Sequence, residues 1–325
     1  MKKWLVGLSV VALAIVAAFV MSPWPSVQVI RMIFDKGAAE ASGKLDKHVP
    51  RDIRTDTLHY DPADQDAVLD IHRPRKVEPG SPLIVWVHGG GFVSGRRDDL
   101  TNYAKVLAGQ GFNVVNVDYT IAPEATYPTP IRQVSKALAY LNAEAHALRI
   151  DTSRIVLAGD SAGAQIAAQT AAITVNPDYA RRVGVVPGAK AAQIAGALLH
   201  CGVYDVTRMG GGGGILGWFV KSTTWAYSGK RDWRDAEGFD TMSVAPNITS
   251  AFPPAFISAG NADPLGPQSI AMADALRAKG VKVETLFFPA DYKPPLGHEY
   301  QFDLDTDAGK LALARSIEWL KTLPG

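Results

Sequence analysis

The sequence predicts an α/β fold, a mostly parallel sheet with helices on both faces, and three observations carry that expectation. Runs such as Leu83-Ile84-Val85-Trp86-Val87 and Ile155-Val156-Leu157-Ala158 are apolar throughout, without polar alternation, as strands covered on both faces must be. Segments of helical length separate these runs, at about 98–110, 129–148 and from Ala162 onward, so strand and helix alternate. Two of the runs end in glycine-rich turns, His88-Gly89-Gly90-Gly91-Phe92 and Gly159-Asp160-Ser161-Ala162-Gly163. Right-handed crossovers place both turns at the carboxyl edge of the sheet, where reacting groups gather in such folds.

Composition narrows the function classes. The chain has 325 residues, enough for one large α/β domain or two smaller ones. Lys plus Arg is 33 against 32 for Asp plus Glu, with no block of like charge, so nucleic acid and acidic partners are disfavoured. Cys201 is the only cysteine, which excludes an internal disulfide and a Cys-based zinc motif; its apolar surroundings read as a plain buried thiol. No HExxH, paired-carboxylate or Cys/His arrangement marks a metal, so neither metal nor cofactor is expected. Oligomeric state leaves no mark in the sequence.

Taken in order, Lys2-Lys3 precede an uncharged, mainly apolar run from Trp4 to Met21, closed by Ser22-Pro23-Trp24-Pro25. Residues 1–22 therefore read as a retained signal anchor or as a signal peptide cleaved after Val16-Ala17-Ala18. Either reading exports the rest of the chain, and the first allows membrane association through residues 4–21. Within 23–50, Val27, Ile30, Phe34, Ala38 and Ala41 recur at helical spacing behind Ser26 as N-cap, and Gly43 to Pro50 is a charged connector. That helix either packs on the main domain or forms a lid beside its site. Residues 51–325 form the main body of the chain.

In that body Val68-Leu69-Asp70-Ile71 is a short strand, and 83–87 leads into three consecutive glycines. Amides with no side chains around them can point at a developing negative charge. Asn113 to Val117 returns as a strand, a helix covers 129–148, and 155–158 is the strand before Ser161. Ile194 to Leu199 follows, then an irregular stretch with Gly210 to Gly214 and the aromatics Trp218, Phe219, Trp225 and Tyr227. Without a Gly-Lys-Ser/Thr ending the glycine run is no phosphate loop. The aromatics either wall a substrate site or pack the core. The last two strands are 254–258 and 281–288, with a helix between them and another at the C-terminus.

GxSxG is weak evidence alone, so the test is whether the chain supplies a base and an orienting acid for Ser161. In a strand-turn-helix elbow of this kind the order is Ser, then acid, then His. Only His200 and His298 follow Ser161; His298, in a loop after the final strand, is preferred to His200 at the end of an apolar strand. Asp263, just past the strand at 254–258, is the preferred acid over Asp291, Asp205 and Asp160.

The combination of His88-Gly89-Gly90-Gly91-Phe92, Tyr119-Thr120-Ile121-Ala122-Pro123-Glu124, Gly159-Asp160-Ser161-Ala162-Gly163, Asp263-Pro264-Leu265 and His298 resembles the hormone-sensitive-lipase-like family of bacterial esterases, from about residue 60 to the C-terminus. The resemblance implies an α/β-hydrolase fold of about eight strands and a carboxylesterase or lipase-like hydrolase that needs no cofactor. It implies Ser161 as nucleophile, Asp263 and His298 as its partners, and the amides of Gly89, Gly90 and Ala162 as oxyanion hole. The ligand is then a small-molecule ester, and residues 23–50 with about 205–245 form a helical cap. The family's second motif commonly has Arg-Leu where Thr120-Ile121 stand, and the residues around His298 match loosely. An amidase or acyltransferase with the same triad, or a non-catalytic receptor on the same scaffold, are the alternatives.

Overall fold

The computed structural model describes residues 2–209 and 212–323, so Gly210 and Gly211 of the glycine run lie outside the described residues. Eight strands form one sheet: β1 (Arg54–His59), β2 (Val68–Arg73), β3 (Leu83–Val87), β4 (Val114–Val117), β5 (Ile155–Asp160), β6 (Ile194–His200), β7 (Ala255–Ala259) and β8 (Val283–Phe287). Their order is β1-β2-β4-β3-β5-β6-β7-β8. The pairs β1/β2 and β2/β4 are antiparallel and all others parallel. The order reverses around β3 and β5, which pair directly, so the loops leaving these two strands flank a crevice at the carboxyl edge.

Ten helices accompany the sheet among the described residues: α1 (Lys2–Met21), α2 (Trp24–Leu45), α3 (Thr101–Ala108), α4 (Thr129–Ala143), α5 (Ala145–Leu148), α6 (Ser161–Val175), α7 (Pro177–Val183), α8 (Gly214–Ser228), α9 (Gly266–Ala278) and α10 (Asp307–Thr322). Side chains of one strand alternate between two cores. Leu83, Val85 and Val87 of β3 join the side packed by α4, α6 and α9, and Ile84 and Trp86 join the side packed by α3 and α10. Helix α6 is buried from Ser161 to Thr174. Its alanines allow a close approach to β5 and β6 that larger residues would prevent.

Four sequence expectations change. Strand β1 was not foreseen: its residues show no apolar face, and it is paired on one side only. Ser26 is not the N-cap of α2. That place is Pro23, and Pro25 occupies the first turn, where a missing N–H costs nothing; Ser26 is buried and accepts from Trp218 Nε1 at 3.2 Å. Helix α2 also runs on to Leu45, into the expected connector. The single helix expected over 129–148 is broken at Glu144, whose backbone leaves helical geometry (φ −97°, ψ 8°).

The expected stripe of α2 is the one turned inward, with Val27 and Ile30 buried and Phe34 against the core. Arg31 straps α2 to the loops after β3 and β4, donating to Val93 O (2.6 Å), Ala122 O (3.0 Å) and Glu124 Oε1 (2.7 Å). Phe34 meets Phe219 of α8 with ring centroids 5.4 Å apart, so α2 and α8 form one layer. Ahead of them, α1 carries exposed Leu8, Val11, Leu13 and Val16. Among the described residues no single helix is long and apolar enough to cross a membrane. Gly7–Met21 and Trp24–His48, bent by 85°, pass together by length and composition only.

Candidate active site

Strand β5 ends at Asp160 and α6 begins at Ser161, so one residue makes the turn from strand to helix. Ser161 takes it with φ 51°, a left-handed conformation few residues other than glycine adopt. Such local strain persists only where surrounding contacts over-determine it. Gly163 supplies one: a β-carbon there would overlap the Val87 and His88 carbonyl oxygens and lie 2.6 Å from the His88 carbonyl carbon. The elbow therefore sits directly against the end of β3, and Ser161 stands at the N-terminus of α6.

His298 and Asp263 reach it from two other loops. His298 Nε2 lies 2.9 Å from Ser161 Oγ, and Nδ1 lies 3.0 Å from Asp263 Oδ1. The Asp263 side chain is fully buried, and the same Oδ1 accepts the Leu265 amide at 2.8 Å, which fixes the carboxylate. With Nδ1–H donating to the carboxylate, Nε2 is left to accept the serine proton. Burial opposes the imidazolium, but the Asp263 carboxylate bonded to Nδ1 and the charge of Glu299 favour it, and the His298 pKa lies well above the usual histidine value.

The rivals are placed elsewhere. His200 is buried, bonds to Ser258 Oγ at 2.6 Å, and burial pulls its pKa down to about 3, so it stays neutral. Asp205 caps a short turn through the Thr207 amide. Asp160, the residue before Ser161, accepts the Trp86 indole N–H at 2.8 Å. Its burial, and then the charge of Glu299, push its pKa well above the carboxylate range, against the pull of Trp86, His298 and the Gly89 amide.

The glycine loop after β3 is held from several sides. The His88 ring stacks on Tyr119 at 4.2 Å, and Tyr119 OH donates to His88 O at 3.0 Å. Gly90 (φ 103°) could not carry a side chain, since a β-carbon would run into Ser94 O and sit 3.0 Å from Gly95 N. Gly89 lies directly against Asp160: a β-carbon there would run into the Asp160 carboxyl and sit 3.1 Å from the Asp160 carbonyl oxygen. Over Gly91 lies Phe219, whose Cζ is 3.0 Å from where a β-carbon would be. The aromatics after the glycine run thus divide: Phe219 covers the loop, Tyr227 is buried and stacks on Phe92 at 4.2 Å, and Ile215 and Leu216 before them are exposed.

Two residues near the site carry no sequence signal of their own. Glu299 follows His298 in left-handed backbone (φ 61°), which brings its Oε1 to 3.8 Å from His298 Nε2 and close to Gly89. Cys201, expected to be an ordinary buried thiol, is buried beside Asp263 and His298.

A model of an α/β-hydrolase fold family matches residues 84–292, from β3 to just short of His298. Among solved structures, esterase B from Lactobacillus rhamnosis is 23% identical, with a TM-score of 0.77 over 92% of this chain and 96% of its own. An esterase from Pyrobaculum calidifontis is 22% identical, with a TM-score of 0.72 over 91% and 92%. A bacterial heroin esterase is 24% identical, with a TM-score of 0.71 over 95% and 97%. At these identities the likeness is one of fold. The matched span holds more than half of the residues, including Ser161 at its elbow and Asp263 after β7, and the chain belongs to the α/β-hydrolase fold family.

Proposed function

We propose that the chain hydrolyses carboxylic esters with small to medium acyl groups through an acyl-enzyme on Ser161. The observation that carries this reading is the unbroken relay of Ser161 Oγ, His298 and Asp263, with links of 2.9 and 3.0 Å. Ser161 attacks the ester carbonyl while His298 Nε2 takes its proton, and Asp263 stabilises the imidazolium. The oxyanion meets the amides of Gly89, Gly90 and Ala162. His298 then protonates the departing alcohol and later draws a proton from the water that frees the acid. In this reading α2 and α8 are the cap, with Phe219 over the glycine loop as an apolar wall. The esterase neighbours support it, among them a form of esterase B described with a tributyrin phosphonate.

A phosphonate is a fair probe because its tetrahedral phosphorus imitates the oxyanion intermediate. A p-nitrophenyl alkylphosphonate is expected to release one equivalent of nitrophenol and to leave one phosphonyl group on the peptide containing Ser161, with no adduct in Ser161→Ala. Mass spectrometry that found the adduct on another residue, or none while esters are still hydrolysed, would remove Ser161 from the reaction.

The raised basicity of His298 gives a directional test. The imidazole must be neutral to act as base, so the acid limb of kcat/KM follows its pKa in the free enzyme. Glu299 favours the imidazolium, and Glu299→Gln deletes that charge; the limb is expected to move to lower pH. A pH–rate profile that stays put or moves to higher pH contradicts the role given to Glu299.

A further inference from the structure

Cys201 leaves β6 in left-handed backbone (φ 45°), an uncommon state for a side-chain-bearing residue, and its thiol is fully buried. Its Sγ, one carboxylate oxygen of Asp263 and one ring nitrogen of His298 all lie within 4.8 Å of one another. Gln301 Nε2 approaches the sulfur at 3.8 Å. A second observation is independent of the cysteine. Asp263 Oδ1 takes both His298 Nδ1 and the Leu265 amide, whereas Oδ2 is buried with no hydrogen-bond partner among the described residues. A buried carboxylate oxygen without a donor is costly, and a cation would satisfy it.

Thiolate, imidazole and carboxylate together are the ligand set of zinc and its soft or borderline relatives, and three protein ligands is the count found in open zinc sites. We propose that Cys201, Asp263 and His298 capture a divalent cation of the zinc class, and that its capture switches the site off. The S–H bond breaks as the metal–sulfur bond forms and the proton leaves to solvent, so no electrons are gained or lost. A metal-bound ring nitrogen has given up the lone pair or the Asp263 hydrogen bond that proton transfer requires. The imidazole is the exposed member, at 31%, while the Asp263 side chain and Cys201 are fully covered, so inhibition by zinc has a slow onset.

Cobalt(II) is the probe, because a thiolate bound to it absorbs in the near ultraviolet by charge transfer. Cys201 is the only cysteine in the sequence, so any such band reports this residue alone. Titrating the full chain with Co2+ is expected to raise the band to saturation at one equivalent, and Zn2+ to bleach it. Ser161→Ala keeps the band, which separates this inference from ester hydrolysis. Cys201→Ser abolishes it, and His298→Ala weakens cobalt binding by at least the roughly tenfold that even an outer-shell partner is worth. The wild type decides the matter should Cys201→Ser fail to fold: no thiolate band overturns the proposal. So does a band that survives Cys201→Ser, or an affinity untouched by His298→Ala.

Discussion

Replacing Ser161 by alanine is expected to lower kcat on a p-nitrophenyl ester by about a million-fold, the scale of nucleophile removal in a serine triad, or roughly 8 kcal/mol of transition-state stabilisation. The size follows from the geometry. Nε2 of His298 is bonded to the serine oxygen at 2.9 Å, and its other nitrogen is held by a buried carboxylate. Without the hydroxyl, a correctly oriented base has nothing to activate. His298→Ala is expected to cost about as much, because a serine without its base is a poor nucleophile. The informative result is the double variant. Groups acting as one unit are not additive, so Ser161→Ala with His298→Ala is expected to be no slower than either single change. Single-turnover and steady-state hydrolysis of the three variants check this. A Ser161→Ala protein keeping more than about one per cent of wild-type kcat would place the chemistry elsewhere. The thermal midpoint belongs in the same experiment: alanine fits the space of serine, so the loss is expected without unfolding.

What was legible in the sequence and what was not divides along a physical line. Ser161 and the glycine loop are local signals, since the chain itself supplies the strand, the turn and the helix that aim them. His298 and Asp263 could be chosen because each follows a strand, and carboxyl ends of parallel strands share one edge. Strand β1 escaped notice because an edge strand held by backbone pairing needs no apolar face, and Arg54-Thr55-Asp56-Thr57-Leu58-His59 shows none. The meeting of Cys201 with Asp263 and His298 joins three loops far apart in sequence, and no spacing motif encodes it. Glu299 escaped for another reason: a neighbour in sequence is not a neighbour in space until the backbone angle is known, and its φ of 61° turns the carboxylate to the reacting side of the imidazole.

Gly163→Ala tests whether the elbow is held by close backbone contact, as the strained Ser161 requires. One methyl group is a small addition, and on an exposed helix it would stabilise. Here the added carbon meets the Val87 and His88 carbonyls, and main-chain atoms of a buried strand cannot swing aside as a side-chain tip can. Overpacking of this kind costs about 3 kcal/mol, the upper end of the usual range. For 325 residues, with an unfolding entropy of about 2.1 cal/mol/K per residue, that is a fall of roughly 4–5 °C in Tm. Activity is expected to fall further than stability, because relief of the clash moves α6 from β3 and carries Ser161 away from His298. Gly37→Ala in α2 is the matched control. Nothing lies within 4 Å of its β-carbon position, so the ordinary gain of about 0.5–1 kcal/mol for alanine over glycine in a helix is expected there. Calorimetry with ester hydrolysis on both variants separates the outcomes. If Gly163→Ala is as stable and active as Gly37→Ala, the strain at Ser161 is not held by contact with β3; if it folds but hydrolyses poorly, the glycine is there to place the nucleophile.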